Sequence, residues 1–243
     1  MNQWVLVTGA ARRIGRSIAI DLADAGWDVV VHYNTSATDA GQTAKEVEAK
    51  GRKAHLVQAD FSDRRTLEAF LPSLSDKIGA LTALVNNASM FEPDSAAPGG
   101  GVQKAVNYEA ARVLCEEFRE FLPKGRKGAI VNLLDASPHT SGFNVYNQSK
   151  KSLRAMTLDM AFRFAPAIRV NGVAPGPTLP AVRETEEHYK KSIQATLLKT
   201  EIPPIAIASA VRFLIDNHSV TGEILHVDGG VRLVGTPAMY RAS

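Results

Sequence analysis

Seven short apolar runs, spaced by longer amphipathic stretches, set what this chain can fold into. They are Trp4–Thr8, Val29–His32, His55–Asp60, Ala83–Asn86, Ala129–Leu134, Arg169–Val173 and Ile224–Val227. Most are continuous Val, Ile, Leu and Ala rather than alternating apolar and polar, the pattern of strands covered on both faces, as in a parallel sheet. Parallel strands need crossovers, and the intervening segments have helical spacing. Ile14–Asp24 stops before Gly26, Ala40–Lys50 before Gly51, Val102–Leu122 before Pro123 and Tyr146–Phe164 before Pro166. Val102, Val106, Ala110, Val113, Leu114, Phe118 and Phe121 make one apolar stripe on the third of these. The expected fold is one Rossmann-type, doubly wound α/β domain over residues 1–243, with a parallel sheet of about seven strands.

Two stretches interrupt the rhythm without the look of a domain linker. Ala96–Gly101 is Gly-rich, a turn before the third of those helices. Pro175-Gly176-Pro177 opens a charged insert, expected as a helical substrate flap at about 177–200.

Composition narrows the function classes. The charge is 28 − 25 = +3, too mild to suggest nucleic-acid binding. The single cysteine, Cys115, permits no intrachain disulfide and reads as a buried inert thiol. The six histidines have no metal-ligand spacing, so no metal site is expected. The first residues are strand-like rather than a signal peptide, no apolar run is long enough to span a membrane, and the expected location is the cytoplasm.

The first run passes into Gly9-Ala10-Ala11-Arg12-Arg13-Ile14-Gly15 and then a helix. Gly9 admits backbone angles closed to other residues, Gly15 allows close helix–sheet approach, and the helix amino end offers N–H groups and partial positive charge to a pyrophosphate. A carboxylate at the end of the second strand would favour NAD. Here that strand ends His32-Tyr33-Asn34-Thr35-Ser36, with Arg12 and Arg13 nearby, so a 2′-phosphate and NADP(H) are expected. Asp60 ends the third strand and either accepts from the adenine amino group or caps the next helix. Asn87, Ala88 and Ser89 follow the fourth strand, small and polar, suited to backbone packed near a cofactor.

Tyr146 and Lys150 lie one helical turn apart and face the same side. The lysine charge is expected to lower the phenol pKa and make Tyr146 a proton donor.

Taken in order, Thr8-Gly9-x5-Gly15, Asp60, Asn86-Asn87-Ala88, Asn107, Tyr146-x3-Lys150, Asn171-Gly172-Val173-Ala174-Pro175-Gly176 and Val227-Asp228-Gly229-Gly230 resemble the short-chain dehydrogenase/reductase family over nearly the whole chain. The resemblance implies an NAD(P)(H)-dependent oxidoreductase, a catalytic set of Tyr146, Lys150 and Asn107, and cofactor contacts that include Pro175 and Gly176. It also implies a homotetramer paired through helices matching Val102–Leu122 and Tyr146–Phe164. Two departures from the usual pattern are similar to the pteridine reductase branch. Arg13 stands where most members have a third glycine, and Asp135 stands where most have a serine at the end of the fifth strand. Phe91 also matches that branch, where it stacks a pterin against the nicotinamide. A third departure points away from the branch: the Asp135-to-Tyr146 interval is shorter, so the pocket wall at 136–145 is expected to differ.

Three functions follow for test. The first is NADPH-dependent reduction of a C=N bond in a dihydropterin or dihydrofolate, with Asp135 binding or protonating ring nitrogens. The second is reduction of a 3-oxoacyl thioester or small ketone, with Ser137 filling the serine role. The third is a non-catalytic NADP(H)-binding sensor.

Overall fold

The computed structural model describes residues 3–95, 100–136, 143–180 and 184–234. Seven strands form a single parallel sheet: β1 (Gln3–Val7), β2 (Asp28–Tyr33), β3 (Ala54–Gln58), β4 (Ala80–Asn86), β5 (Gly128–Leu133), β6 (Ile168–Pro175) and β7 (Ile224–Val227), in the order β3-β2-β1-β4-β5-β6-β7. Each expected strand is present within a few residues of its apolar run. The strands are buried on both faces because each side of the sheet has its own core. Along β1, Trp4 and Leu6 enter one cluster with Leu114, Phe118, Leu153 and Met160. Val5 and Val7 enter the other with Ile18, Leu22, Val211 and Leu214. Each such buried aliphatic side chain contributes about 1.5–3 kcal/mol.

Eight helices clothe the sheet among the described residues: α1 (Arg13–Asp24), α2 (Ala37–Ala49), α3 (Arg64–Glu68), α4 (Gly101–Lys104), α5 (Ala110–Phe121), α6 (Asn144–Phe164), α7 (Glu186–Gln194) and α8 (Pro204–Asp216). The expected helix Val102–Leu122 is divided: a π-helical turn, Ala105–Glu109, separates α4 from α5. The wider turn shifts the phase of the stripe, and Val102, assigned to the buried face, is 53% exposed. The charged insert does form a helix, α7. Thr185 caps its start by accepting from the His188 N–H, and Glu186–Lys190 and Glu187–Lys191 pair along its exposed side, both at 2.7 Å. What holds the flap is Tyr189, buried, whose hydroxyl donates to the Thr178 carbonyl at 2.9 Å.

Chain direction reverses its sideways progress between β1 and β4: β2 and β3 lie to one side of β1, β4 to β7 to the other. In parallel α/β sheets the crevice at the carboxyl ends beside such a switch is where ligands bind. A cavity of about 720 Å³ lies instead at the amino ends, lined by Trp4, Asp28, Arg52, His55 and Lys77. None of the candidate site residues lines it.

Candidate active site

The turn after β1 is braced from three directions. Gly9 has φ +63°, in the left-handed region, and the Gly9 N–H donates to His32 Nδ1 at 3.0 Å. Asn87 Nδ2 donates to the Thr8 and Gly9 carbonyls at 2.8 and 3.1 Å, while the Thr8 hydroxyl accepts from the Asn87 and Ala88 N–H groups, both at 2.9 Å. Asn87 thus fastens the end of β4 to the turn across the switch point. A Cβ at Gly15 would lie 2.2 Å from the Gly9 carbonyl oxygen, and one at Gly176 would lie 2.7 Å from Asp228 Cα. Both positions hold the backbone closer than any side chain permits. The amino end of α1 has no side-chain cap, which leaves its first N–H groups to an anion. The cradle fits a dinucleotide pyrophosphate.

His32 is the part of this brace that the sequence left unassigned. Its ring is buried, stacks on Phe61 at 4.0 Å, and donates from Nε2 to the Ala59 carbonyl while Nδ1 accepts from Gly9. Burial pushes its pKa down from 6.5 to about 4. The unfolded chain takes up this proton below pH 6.5 and the folded chain resists it to about 4. The contribution is therefore complete above pH 6.5 and is lost as the pH falls toward 4. Unfolding free energy is expected to drop by about 1.4 kcal/mol per pH unit across that window. Denaturant titrations at several pH values measure the slope, and His32→Asn, which keeps an acceptor and cannot charge, should flatten it.

The two arginines of the turn do not converge. Arg12 stays exposed, 3.7 Å from Asp39 of α2. Arg13 takes φ +56°, the backbone region a glycine would occupy there, at a cost of about 1–2 kcal/mol. Its guanidinium turns to the flap, donating to the Pro180 carbonyl at 2.8 Å and the Leu179 carbonyl at 3.3 Å. Of the two arginines expected beside a 2′-phosphate, Arg13 is turned to the flap and Arg12 remains on the β2 side. Ser36 precedes α2 without a side-chain capping bond, and Asn34 bonds Asp60. Asp60 accepts from the Ser62 N–H at 2.9 Å and hydroxyl at 2.7 Å, and these bonds hold its carboxyl below the usual range. The cap of α3 is Asp63, so the capping alternative for Asp60 does not apply.

At the end of β5, Asp135 Oδ2 accepts from the Tyr146 hydroxyl at 2.8 Å. Lys150, buried, donates from Nζ to the Leu133 carbonyl at 2.9 Å and lies 5.7 Å from the Tyr146 ring centre. The expected direction of the phenol shift is reversed. Burial, and then the Asp135 carboxylate, push the Tyr146 pKa up. Burial pushes Lys150 down to about 8. Asp135 is in contact with the phenol oxygen, whereas the ammonium is directed to a backbone carbonyl, so the nearer charge dominates. Tyr146 is a protonated donor here.

Asn107 sits in the π-helical turn and is fully used by the protein. Its Oδ1 accepts from the Met90 N–H at 2.6 Å and the Ser89 hydroxyl at 3.2 Å; its Nδ2 donates to the Met90 carbonyl at 2.8 Å and to Ser149 Oγ at 3.2 Å. π turns are enriched at functional sites. Phe91, next along, stands edge-to-face with Tyr146 at 4.8 Å and is stacked on Phe143 at 4.7 Å, the rings 1° from parallel. Phe143 was missed because the sequence before it, 137–142, has no periodicity; that stretch, with Ser137, lies outside the described residues. Below these groups a buried chain of bonds joins β4, β5 and α6. Asn86 Nδ2 donates to Asn132 Oδ1 at 2.8 Å, and Asn132 Nδ2 donates to Thr157 Oγ1 at 2.9 Å. Cys115, also under Asn86, is buried and its thiol is pushed up to about 12, which makes it inert at neutral pH.

Comparison with known proteins gives the following relatives. The family described as enoyl-(acyl carrier protein) reductase matches residues 9–232. The 3-oxoacyl-(acyl-carrier-protein) reductase FabG of Staphylococcus aureus is 30% identical, covering 95% of this chain and 98% of its own. Among solved structures, FolM alternative dihydrofolate reductase 1 from Brucella canis, complexed with NADP, is similar with a TM-score of 0.89 at 34% identity, covering 97% of this chain and 96% of that one. The angucycline C-6 ketoreductase LanV with bound NADP is similar with a TM-score of 0.86 at 29% identity, covering 95% and 96%.

Proposed function

This chain belongs to the short-chain dehydrogenase/reductase family, and we propose that it is an NADPH-dependent reductase of a C=N bond in a dihydropterin or dihydrofolate-like substrate. The observation that carries this reading is the 2.8 Å hydrogen bond from Tyr146 to Asp135, with Phe91 edge-on to the same phenol at 4.8 Å. The likeness to FolM supports it. An oxidoreductase working with NADP(H) is the common denominator of the relatives. NADP(H) is assigned to the cradle of Gly9, Ile14 and Gly15, flanked by Asn87, Ala88 and Ser89, with Pro175 and Gly176 beyond. Asp60 and Asn34 are assigned to the adenine side, and Arg12 and Ser36 to the 2′-phosphate. The Arg12–Asp39 pair is exposed and long, so it yields to a phosphate at little cost.

Bound there, NADPH supplies a hydride. Tyr146 then holds the proton that the other end of the double bond requires, kept on oxygen by burial and by Asp135. Asp135 offers a carboxylate to ring nitrogens and their hydrogens, which a C=N heterocycle presents and a ketone does not. Lys150 contributes positive charge beside the phenol. Asn107 fixes the backbone at Met90 and so the approach of Phe91. Arg13 joins the cradle to the flap at Leu179 and Pro180, so the substrate flap and the cofactor turn are ordered together.

A carbonyl reductase is the second reading, favoured by the 30% identity to FabG. The two separate on purified protein: NADPH oxidation with 7,8-dihydropterins and dihydrofolate is expected to exceed that with acetoacetyl thioesters. No turnover of any dihydropterin at millimolar concentration would overturn the first reading. Assembly is read as a homotetramer, whose pairing would cover Leu158 and Phe162 of α6, 47% and 88% exposed in the single chain. No helix among the described residues is long and apolar enough to cross a membrane; a cytoplasmic setting belongs to the same reading.

A further inference from the structure

Helix α6 carries Tyr146 in its first turn, and it begins without a cap of its own. The residue at its start, Phe143, has no side-chain oxygen to offer the first N–H groups, and its carbonyl accepts from Asn147, one turn on. Those groups are met from another part of the chain. Asp94 Oδ2 accepts from the Asn144 N–H at 2.9 Å, and Asp94 Oδ1 accepts from the Val145 N–H at 3.1 Å. A carboxylate at a helix amino end is favoured by both the hydrogen bonds and the helix dipole.

The position of Asp94 gives this cap a consequence beyond α6. It lies three residues after Phe91 in the loop that leaves β4. Two buried side chains hold the rest of that loop: Asn107 binds Met90 through its N–H and carbonyl, and Gln103 Oε1 accepts from the Glu92 N–H at 2.7 Å. The loop is therefore fixed to α4 and the π-helical turn at one end and to the first turn of α6 at the other. Three rings depend on that junction. Phe91 rides on the loop, while Phe143 and Tyr146 flank the two amides that Asp94 holds.

From this geometry we infer that Asp94 is a positioning residue: it sets the first turn of α6 against the Phe91 loop, and so places the Tyr146 hydroxyl for proton delivery. The inference rests on the reading of Tyr146 as the proton donor. Small misplacements of a reacting group are costly, about 100-fold for 1 Å.

Asp94→Ala is expected to lower kcat about 10- to 100-fold with no rise in the KM for NADPH. Asp94→Asn, which keeps one acceptor oxygen, should recover part of the loss. The deciding measurement is a double-mutant cycle under single-turnover conditions. In a Tyr146→Phe background, Asp94→Ala should cost nothing further, because the group it places is gone. Losses that multiply, or an NADPH KM that rises as kcat falls, would overturn the inference. If the enzyme reduces thioesters and not pterins, the functional reading fails while the cycle is run unchanged on the thioester. If it turns over neither, or if Asp94→Ala does not fold, amide exchange of Asp94→Asn with NADPH decides. Faster exchange confined to Asn144 and Val145 supports the cap, and unchanged exchange there overturns it.

Discussion

Tyr146→Phe is expected to lower kcat for dihydropterin reduction by about 10²–10⁴-fold, the range for loss of a positioned proton donor. That corresponds to about 3–5 kcal/mol of barrier. The substitution removes one oxygen and keeps the ring that stands against Phe91, so substrate and NADPH binding should change little. The pH profile tests the protonation state separately. Burial and the Asp135 carboxylate both favour the phenol, so kcat/KM should show no rise near neutrality from phenolate formation. It should instead fall above about pH 8, where Lys150 loses its proton. A neutral-range ascending limb that disappears in Tyr146→Phe would show that the phenolate is the active form and that the role given to Asp135 is wrong.

The strands were legible because a sheet covered on both faces demands continuous apolar runs. The helices were legible where one face is wet. Helix α8 was missed because Ile207, Ala208, Val211, Leu214 and Ile215 bury one face while Ile205 and Phe213 leave apolar surface on the other, which blurs the 3.6-residue stripe. The break in Val102–Leu122 was invisible for a related reason: a π turn adds a residue without changing composition. At the site, Gly9, Gly15, Tyr146 and Lys150 could be placed by spacing, since each is fixed to a strand end or a helix turn, while Asp135 was placed through the family resemblance. What spacing cannot show is where a long side chain ends. Arg13 was assigned to the cofactor, yet its guanidinium bonds Leu179 and Pro180, more than 160 residues away in sequence. The roles of His32 and Asp94 also arise only from contacts distant in the chain. The direction of the Tyr146 shift was misjudged because i,i+4 spacing brings Lys150 to the same face but does not say that Nζ is bound to the Leu133 carbonyl while Asp135 reaches the phenol.

Asp135→Ser should exchange one substrate class for the other. At about 4 Å and an effective dielectric of about 20, a carboxylate raises the energy of a developing oxyanion by about 4 kcal/mol, roughly 10³-fold in rate. A hydroxyl in its place donates to that oxygen, and a donor of this kind contributes about 10²–10³ in kcat. Turnover of an acetoacetyl thioester is therefore expected to rise by at least about 100-fold. Dihydropterin turnover should fall, because buried ring nitrogens left without a partner cost about 1–3 kcal/mol each. The phenol should respond as well. Asp135 is a cause of its raised pKa, so removing the carboxylate brings that pKa down and lets Lys150 act on Tyr146 as the spacing first suggested. An alkaline limb that moves along with the substrate preference would tie both effects to the one side chain. Pterin turnover that survives Asp135→Ser intact would remove the carboxylate from the chemistry and leave the hydrogen bond at 2.8 Å as a structural contact.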